Sequence, residues 1–195
     1  MNDERQSPGP LARAGIMKLF GSVVTERVEP IIDTILEANL TGRRDPLRLW
    51  VDSPGGSVDQ GFALLDIMRW SQVPIATCGL GMVGSMGLLI VMAGAAGQRT
   101  LMPHTSILSH RFSGASMGSH ADLVAERYRQ DLLHQRIVAH YQRCTGLPAA
   151  RIEAELLCPY DRWLAPEEAV ACGLADRVWQ PGDNESSGAA PGGTQ

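Results

Sequence analysis

The stretch VPIATCGLGMVGSMGLLIVMAGAAG, residues 73–97, decides how this chain folds. No residue from Trp70 to Gln98 is charged, and the span is long enough to cross a bilayer. Its composition argues otherwise. Pro74 and six glycines interrupt it, four of them within GLGMVGSMG, and such a run makes a weak helix. Arg69 and Arg99 flank it symmetrically and give no orientation bias. It reads instead as a buried strand over 73–78, a tight glycine turn carrying Ser85, and a buried helix over 86–94. One hydroxyl is thus set among glycines and apolar side chains where a strand meets a helix.

On either side, strand-like and helix-like pieces alternate. IMKLF (16–20) and LRLWV (47–51) read as strands. Between them runs a helix through VEPIIDTILEAN that Thr25 is placed to cap, with Pro30 near its first turn. VDQGFALLDIMRW has helical spacing, QRTLMP and SILSH read as short strands, and a long helix is expected from about His120 to Cys144. PAARIEAELL, opened by Pro148, and PEEAVAC, closed by Gly173, read as helices, with DRWL and LADRVW as strand pieces. This rhythm means crossover units and a layered α/β fold. Residues 1–15 read as a flexible segment, 16–180 as one domain and 181–195 as a disordered tail.

Composition narrows the function classes. The chain has 195 residues, 44% of them apolar and 19% charged, which is ordinary for a globular protein. A net charge of −4 and scattered arginines give no reason to expect nucleic acid or an anionic membrane as partner. Cys78, Cys144, Cys158 and Cys172 form no C-x-x-C pair, so no metal or cofactor is expected, and all four read as buried free thiols. MNDERQSPGP has no apolar h-region, which makes a reducing cytoplasm the expected location.

A serine at a strand-to-helix junction faces the first backbone N–H groups of the helix, which lack intrahelical partners. A nucleophile beside such donors is what acyl transfer requires. The turn SPGG (53–56) also follows a strand, and in an open α/β sheet such turns face one crevice. Gly56 and Met86 are therefore candidate oxyanion donors. Ser85 needs a base. His134 and His140 read as a solvated helix face, His120 starts that helix and His104 follows Pro103 in a turn. His110, ending the strand SILSH, is best placed. Lys18, the one lysine, lies far upstream on the first strand. For the group that orients the base, the residues alone leave Asp122, Asp161, Glu167, Glu168 and Asp176 open, with Glu167 and Glu168 better explained as first-turn helix residues.

SPGGSVDQG (53–61), GMVGSMG (81–87), LMPHTSILSH (101–110) and DRWLAPEEAVACGLAD (161–176), in that order, resemble the proteolytic subunits of the Clp protease family. The resemblance spans about residues 16–179 and implies an α/β, ClpP/crotonase-like layered fold of repeated β-β-α and βα units with a protruding helical handle. It also implies a Ser–His–Asp endopeptidase cutting unfolded proteins or peptides inside a ring-shaped chamber. Ser85 then matches the nucleophile, His110 the base, Asp161 the acid, and Gly56 and Met86 the oxyanion donors. The implied partners are further copies in a heptameric ring, which can stack as a tetradecamer, and an AAA+ unfoldase. Three departures stand out: a short segment ahead of the first strand, Tyr160 where an arginine involved in ring-to-ring contact is common, and Arg111-Phe112 in place of glutamine-proline. Residues 112–119, FSGASMGS, can lie extended as an edge that accepts a peptide strand, making Ser113, Gly114 and Ala115 candidate substrate-binding residues. Two other readings are a crotonase-like acyl-CoA enzyme and a non-catalytic ring subunit modulating an active paralogue.

Overall fold

A computed structural model describes residues 9–112 and 116–183. Its elements are α1 (Pro10–Arg13), β1 (Ile16–Phe20), α2 (Thr25–Leu40), β2 (Leu47–Ser53), α3 (Val58–Trp70), β3 (Ile75–Gly84), α4 (Met86–Met92), β4 (Arg99–Leu101), β5 (Ser106–Ser109), α5 (His120–Thr145), α6 (Ala149–Glu155), β6 (Arg162–Leu164), α7 (Pro166–Ala171) and β7 (Arg177–Val178). The chain has the expected α/β architecture. Strands run in the order β1-β2-β3-β4-β7, all parallel, because each is reached by a crossover through a helix. β5 joins the far half of β3 in parallel, and β6 folds back antiparallel on β5.

The decisive stretch departs from its sequence reading in one respect. The strand does not stop at Cys78 but continues through the glycines to Gly84, ten residues in all. The glycines serve close approach and a bulge rather than a turn. A Cβ on Gly79 would come within 2.8 Å of Leu101 and Val83 side-chain atoms. Gly81 has φ +57°, and there the β2–β3 register jumps, from Val51↔Gly79 to Ser53↔Val83. Asp52 occupies the irregularity, its carboxylate accepting from the Met82 N–H at 3.0 Å. Past the bulge β3 changes partner: Thr77–Gly79 pair with β4, whereas Met82–Gly84 pair with β5.

Every residue of α4 is buried, as expected for the apolar run after Ser85. α4 packs on β2, β3 and α3, while α2 covers β1 and also meets α3. The core they enclose includes Leu19, Ile35, Leu49, Val51, Leu64, Leu88 and Ile90. Thr25 does not cap α2. Val24 holds the N-cap position with extended backbone and Thr25 is the first helical residue. α5 begins with a capping box between Ser119 and Asp122 and ends at Gly146, whose φ of +72° suits a left-handed stop. Its first buried residue is Leu133, so Leu123, Val124 and Tyr128 in the leading half stand exposed. Among the described residues no helix is long and apolar enough to cross a membrane.

Candidate active site

Ser85 has φ +52° and ψ −123°, and among the described residues it is the sole non-glycine with positive φ. Such a conformation costs on the order of 1–3 kcal/mol and persists because the surroundings impose it. Three hydrogen bonds do so here: Ser85 N–H donates to the Leu108 carbonyl at 3.0 Å, and the Ser85 carbonyl accepts from Leu88 and Leu89 at 3.0 and 3.2 Å. Ser85 is the N-cap of α4, yet its side chain makes no capping bond, which leaves the half-buried hydroxyl uncommitted. The N–H groups of Met86 and Gly87, in the first turn, have no intrahelical acceptor.

The turn after β2 lies directly on this junction, but Gly55 rather than Gly56 makes the close approach. A Cβ on Gly55 would sit 2.6 Å from Ser85 Cβ and 3.1 Å from Met86 N, and Gly55 has φ +104°. Gly56 is glycine for another reason. Its added Cβ would strike the Val23 backbone at 2.6–2.7 Å, so a side chain there meets the β1–α2 connection and not the crevice. Val23 N–H donates to the Gly55 carbonyl at 2.8 Å, and its carbonyl accepts from Ser57 N–H at 2.9 Å. In that parallel bridge the N–H of Gly56 points away from Val23.

Two registers bring His110 and Asp161 to the same place. Gly84 pairs with Leu108, so Ser85 stands beside Ser109 with His110 next along the strand. In the antiparallel β5–β6 ladder Ile107, Leu108 and Ser109 face Leu164, Trp163 and Arg162, which makes Asp161 the next partner, opposite His110. His110 Nδ1 lies 3.6 Å from Asp161 Oδ1, beyond hydrogen-bond length. The His110 side chain is 23% exposed and that of Asp161 60%. Of the other carboxylates left open above, Asp176 pairs with Arg99, Asp122 closes the α5 capping box, and Glu168 accepts from Ala165 N–H at the start of α7.

Residues beside His110 were not singled out by their sequence, yet they fix its surroundings. Ser109 Oγ donates to the Leu156 carbonyl at 2.7 Å and accepts from Tyr141 Oη at 2.8 Å, the Tyr141 phenol being pushed up to about 12 by burial. Arg111 Nε donates to the neighbouring Leu157 carbonyl. The side chains on both sides of His110 thus hold the loop that leads to Asp161. A serine at an inward position of an apolar strand was the available signal.

The solvated-face reading of His134 and His140 is corrected. His134 is half-buried and bonded to Glu153 at 3.0 Å. His140 is buried, its Nε2–H donating to the Leu89 carbonyl of α4 at 2.9 Å. Burial, reinforced by the fields of Arg143, Arg69 and Arg99, pushes its pKa down to about 4. All four cysteines are free thiols, but Cys158 alone is fully buried, the others being half-buried. Among the described residues no His, Cys, Asp or Glu cluster has the makings of a metal site. Ser113, Gly114 and Ala115 lie outside the described residues. On their two sides, Phe112 packs against the core and Ser116 Oγ accepts from Gln130 Nε2 at 3.2 Å.

Residues 3–182 match the family model described as Clp protease. The ATP-dependent Clp protease proteolytic subunit 1 of Frankia casuarinae is 35% identical over 168 residues, 83% of this chain and 75% of that protein. The ATP-dependent Clp protease proteolytic subunit 2 of Thermobifida fusca is 33% identical over 177 residues, 89% of this chain and 84% of that protein. With the match running across the layered fold and both turns around Ser85, the chain belongs to the Clp protease family of serine proteases.

Proposed function

We propose that this chain hydrolyses peptide bonds through Ser85, His110 and Asp161. Ser85 Oγ attacks the scissile carbonyl while His110 takes its proton, then returns it to the leaving amine, and Asp161 orients the imidazole and stabilises its charged form. The N–H groups of Met86 and Gly56 receive the oxyanion, after which water deacylates Ser85 by the same route in reverse. The observation that carries this reading is the convergence of three strand ends: the strained, uncapped Ser85 after β3, His110 after β5, and Asp161 opposite it before β6. The His110–Asp161 separation of 3.6 Å has to close by roughly 0.5 Å to become a hydrogen bond.

The exposed leading half of α5 supports assembly. Leu123, Val124 and Tyr128 are an exposed apolar set on a helix whose buried residues all lie in its second half, suited to meeting other copies in a heptameric ring or a stacked pair of rings. In this reading Ser113, Gly114 and Ala115 hold the substrate main chain, an AAA+ unfoldase supplies unfolded protein, and the work is done in the cytoplasm. Ser85→Ala and His110→Ala are the test, with a short fluorogenic peptide and with fluorophosphonate labelling followed by intact mass. Both variants should lose cleavage, and Ser85→Ala should take no label. Cleavage that survives Ser85→Ala sinks the assignment. An assembled wild-type ring that neither cleaves nor labels would mark a non-catalytic subunit instead.

A further inference from the structure

The cleft between α3 and α5 lies apart from Ser85 and carries a charge arrangement the proteolytic reading does not use. α3 presents Phe62, Asp66 and Arg69 at successive turns, and α5 presents Arg136, His140 and Arg143 opposite them. Together they line a cavity of about 420 Å³, and Ala139, also on its wall, leaves room between the two α5 arginines. Arg69, Arg136 and Arg143 are exposed and make no ion pair or hydrogen bond among the described residues. The arginines in the other half of the same helix behave differently. Arg127 pairs with Asp131, and Arg129 with Glu126 and Asp59.

Three guanidiniums against one carboxylate, Asp66, leave an excess of positive charge in a partly enclosed space. Arg69 and Arg143 each sit in the last turn of a helix, where a cation offsets the C-terminal partial charge. That accounts for neither Arg136, in the body of α5, nor the convergence of all three. At the cavity floor, burial first and then the nearby cations of Arg143, Arg69 and Arg99 disfavour a charged His140, and the same three cations oppose the rise that burial imposes on the Cys144 thiol. Guanidinium forks bind tetrahedral oxyanions in bidentate fashion. The volume exceeds what one phosphate needs and falls within the range of small-molecule sites, roughly 300–1,000 Å³.

We propose that the α3–α5 cleft is a binding site for a small polyphosphoryl compound, held by Arg69, Arg136 and Arg143. The site is independent of how Ser85 works. Titration calorimetry and thermal denaturation with inorganic tripolyphosphate, orthophosphate and a tetraglutamate peptide, each at matched ionic strength, test it on the full chain. Wild type should bind tripolyphosphate saturably and more tightly than orthophosphate. Arg136→Gln/Arg143→Gln should weaken that binding at least tenfold, whereas Arg127→Gln, whose cation is already paired elsewhere, should leave it unchanged. Arg143→Lys, which keeps the charge but not the fork, should fall between. Circular dichroism checks that each variant is folded. Three results overturn the proposal: a response that sodium chloride reproduces at equal ionic strength, full binding retained by the double variant, or tetraglutamate binding as tightly as tripolyphosphate. Loss of assembly in the double variant with no phosphate binding by wild type would also overturn it, since the cleft would then be a protein contact.

Discussion

His140 couples acid sensitivity to the helix that carries the candidate nucleophile. Its Nε2–H donates to the Leu89 carbonyl, one turn into α4, and its pKa is about 4 in the folded chain against an ordinary 6.5. Between those values the unfolded chain binds more protons than the folded one, so stability rises with pH and is lost as pH falls below 6.5. Cys144 of α5 lies against the ring, and burial together with the cations of Arg143, Arg69 and Arg99 disfavours a charged imidazole, outweighing the hydrogen bond to Leu89 that favours it. At pH 7.5 the group contributes almost nothing to the pH dependence. At pH 5 the two pKa values give a loss of about 2 kcal/mol. His140→Gln keeps a donor for Leu89 and removes the titration. Urea unfolding at both pH values should therefore show wild type losing about 2 kcal/mol more than His140→Gln between pH 7.5 and 5. Whatever the variant costs at pH 7.5, the difference in pH dependence is the readout. Parallel stability–pH profiles for the two proteins would refute the reasoning.

Gly55→Ala places a methyl 2.6 Å from Ser85 Cβ at φ +104°, and should lower kcat/KM for a short peptide by about 10²-fold or more. Gly42→Ala, with φ +67° and nothing within 4 Å, is the control that carries backbone strain alone and should retain activity; equal kinetics for both would remove Gly55 from the site. Asp176→Asn strands the Arg99 guanidinium, whose side chain is 11% exposed, and should cost roughly 3 kcal/mol by urea unfolding at neutral pH. Burial opposes ionisation of Asp176, but hydrogen bonds from Arg99 outweigh it and hold the carboxyl below its usual range, so this stability is present above the ordinary pKa and lost as pH falls through the lower folded one. The variant should therefore be less acid-sensitive than wild type, and an unchanged acid limb would contradict that. Arg111→Gln frees the Leu157 carbonyl and should lower kcat several-fold with KM unchanged; a matching rise in KM would mean that Arg111 meets substrate instead of positioning the Asp161 loop.

What local pattern could reveal, and what it could not, follows the range of the interactions. Ser85 stood out as a candidate because its neighbours are uncharged for a dozen residues on either side and it is the one serine among them. The end of the preceding strand was misread because glycine marks both a turn and a close approach, and only the jump from Val51↔Gly79 to Ser53↔Val83 decides between them. His140 was readable by spacing, since Leu133, Ile137, His140, Tyr141 and Cys144 form one helical stripe. Its polarity misled, and the compensating acceptor, Leu89, lies 51 residues away. Asp161 is the limiting case. No window around it differs in kind from those around Asp122 or Asp176, and what singles it out is a register across β5 and β6 more than 50 residues apart. That register exists because β3 outruns β4 and offers its last residues to β5, which puts Ser85 and His110 on adjacent strand ends. The glycines that obscured the length of β3 in the sequence are thus what let it bend from one partner to the other, and Ser85 follows directly on the segment that pairs with β5.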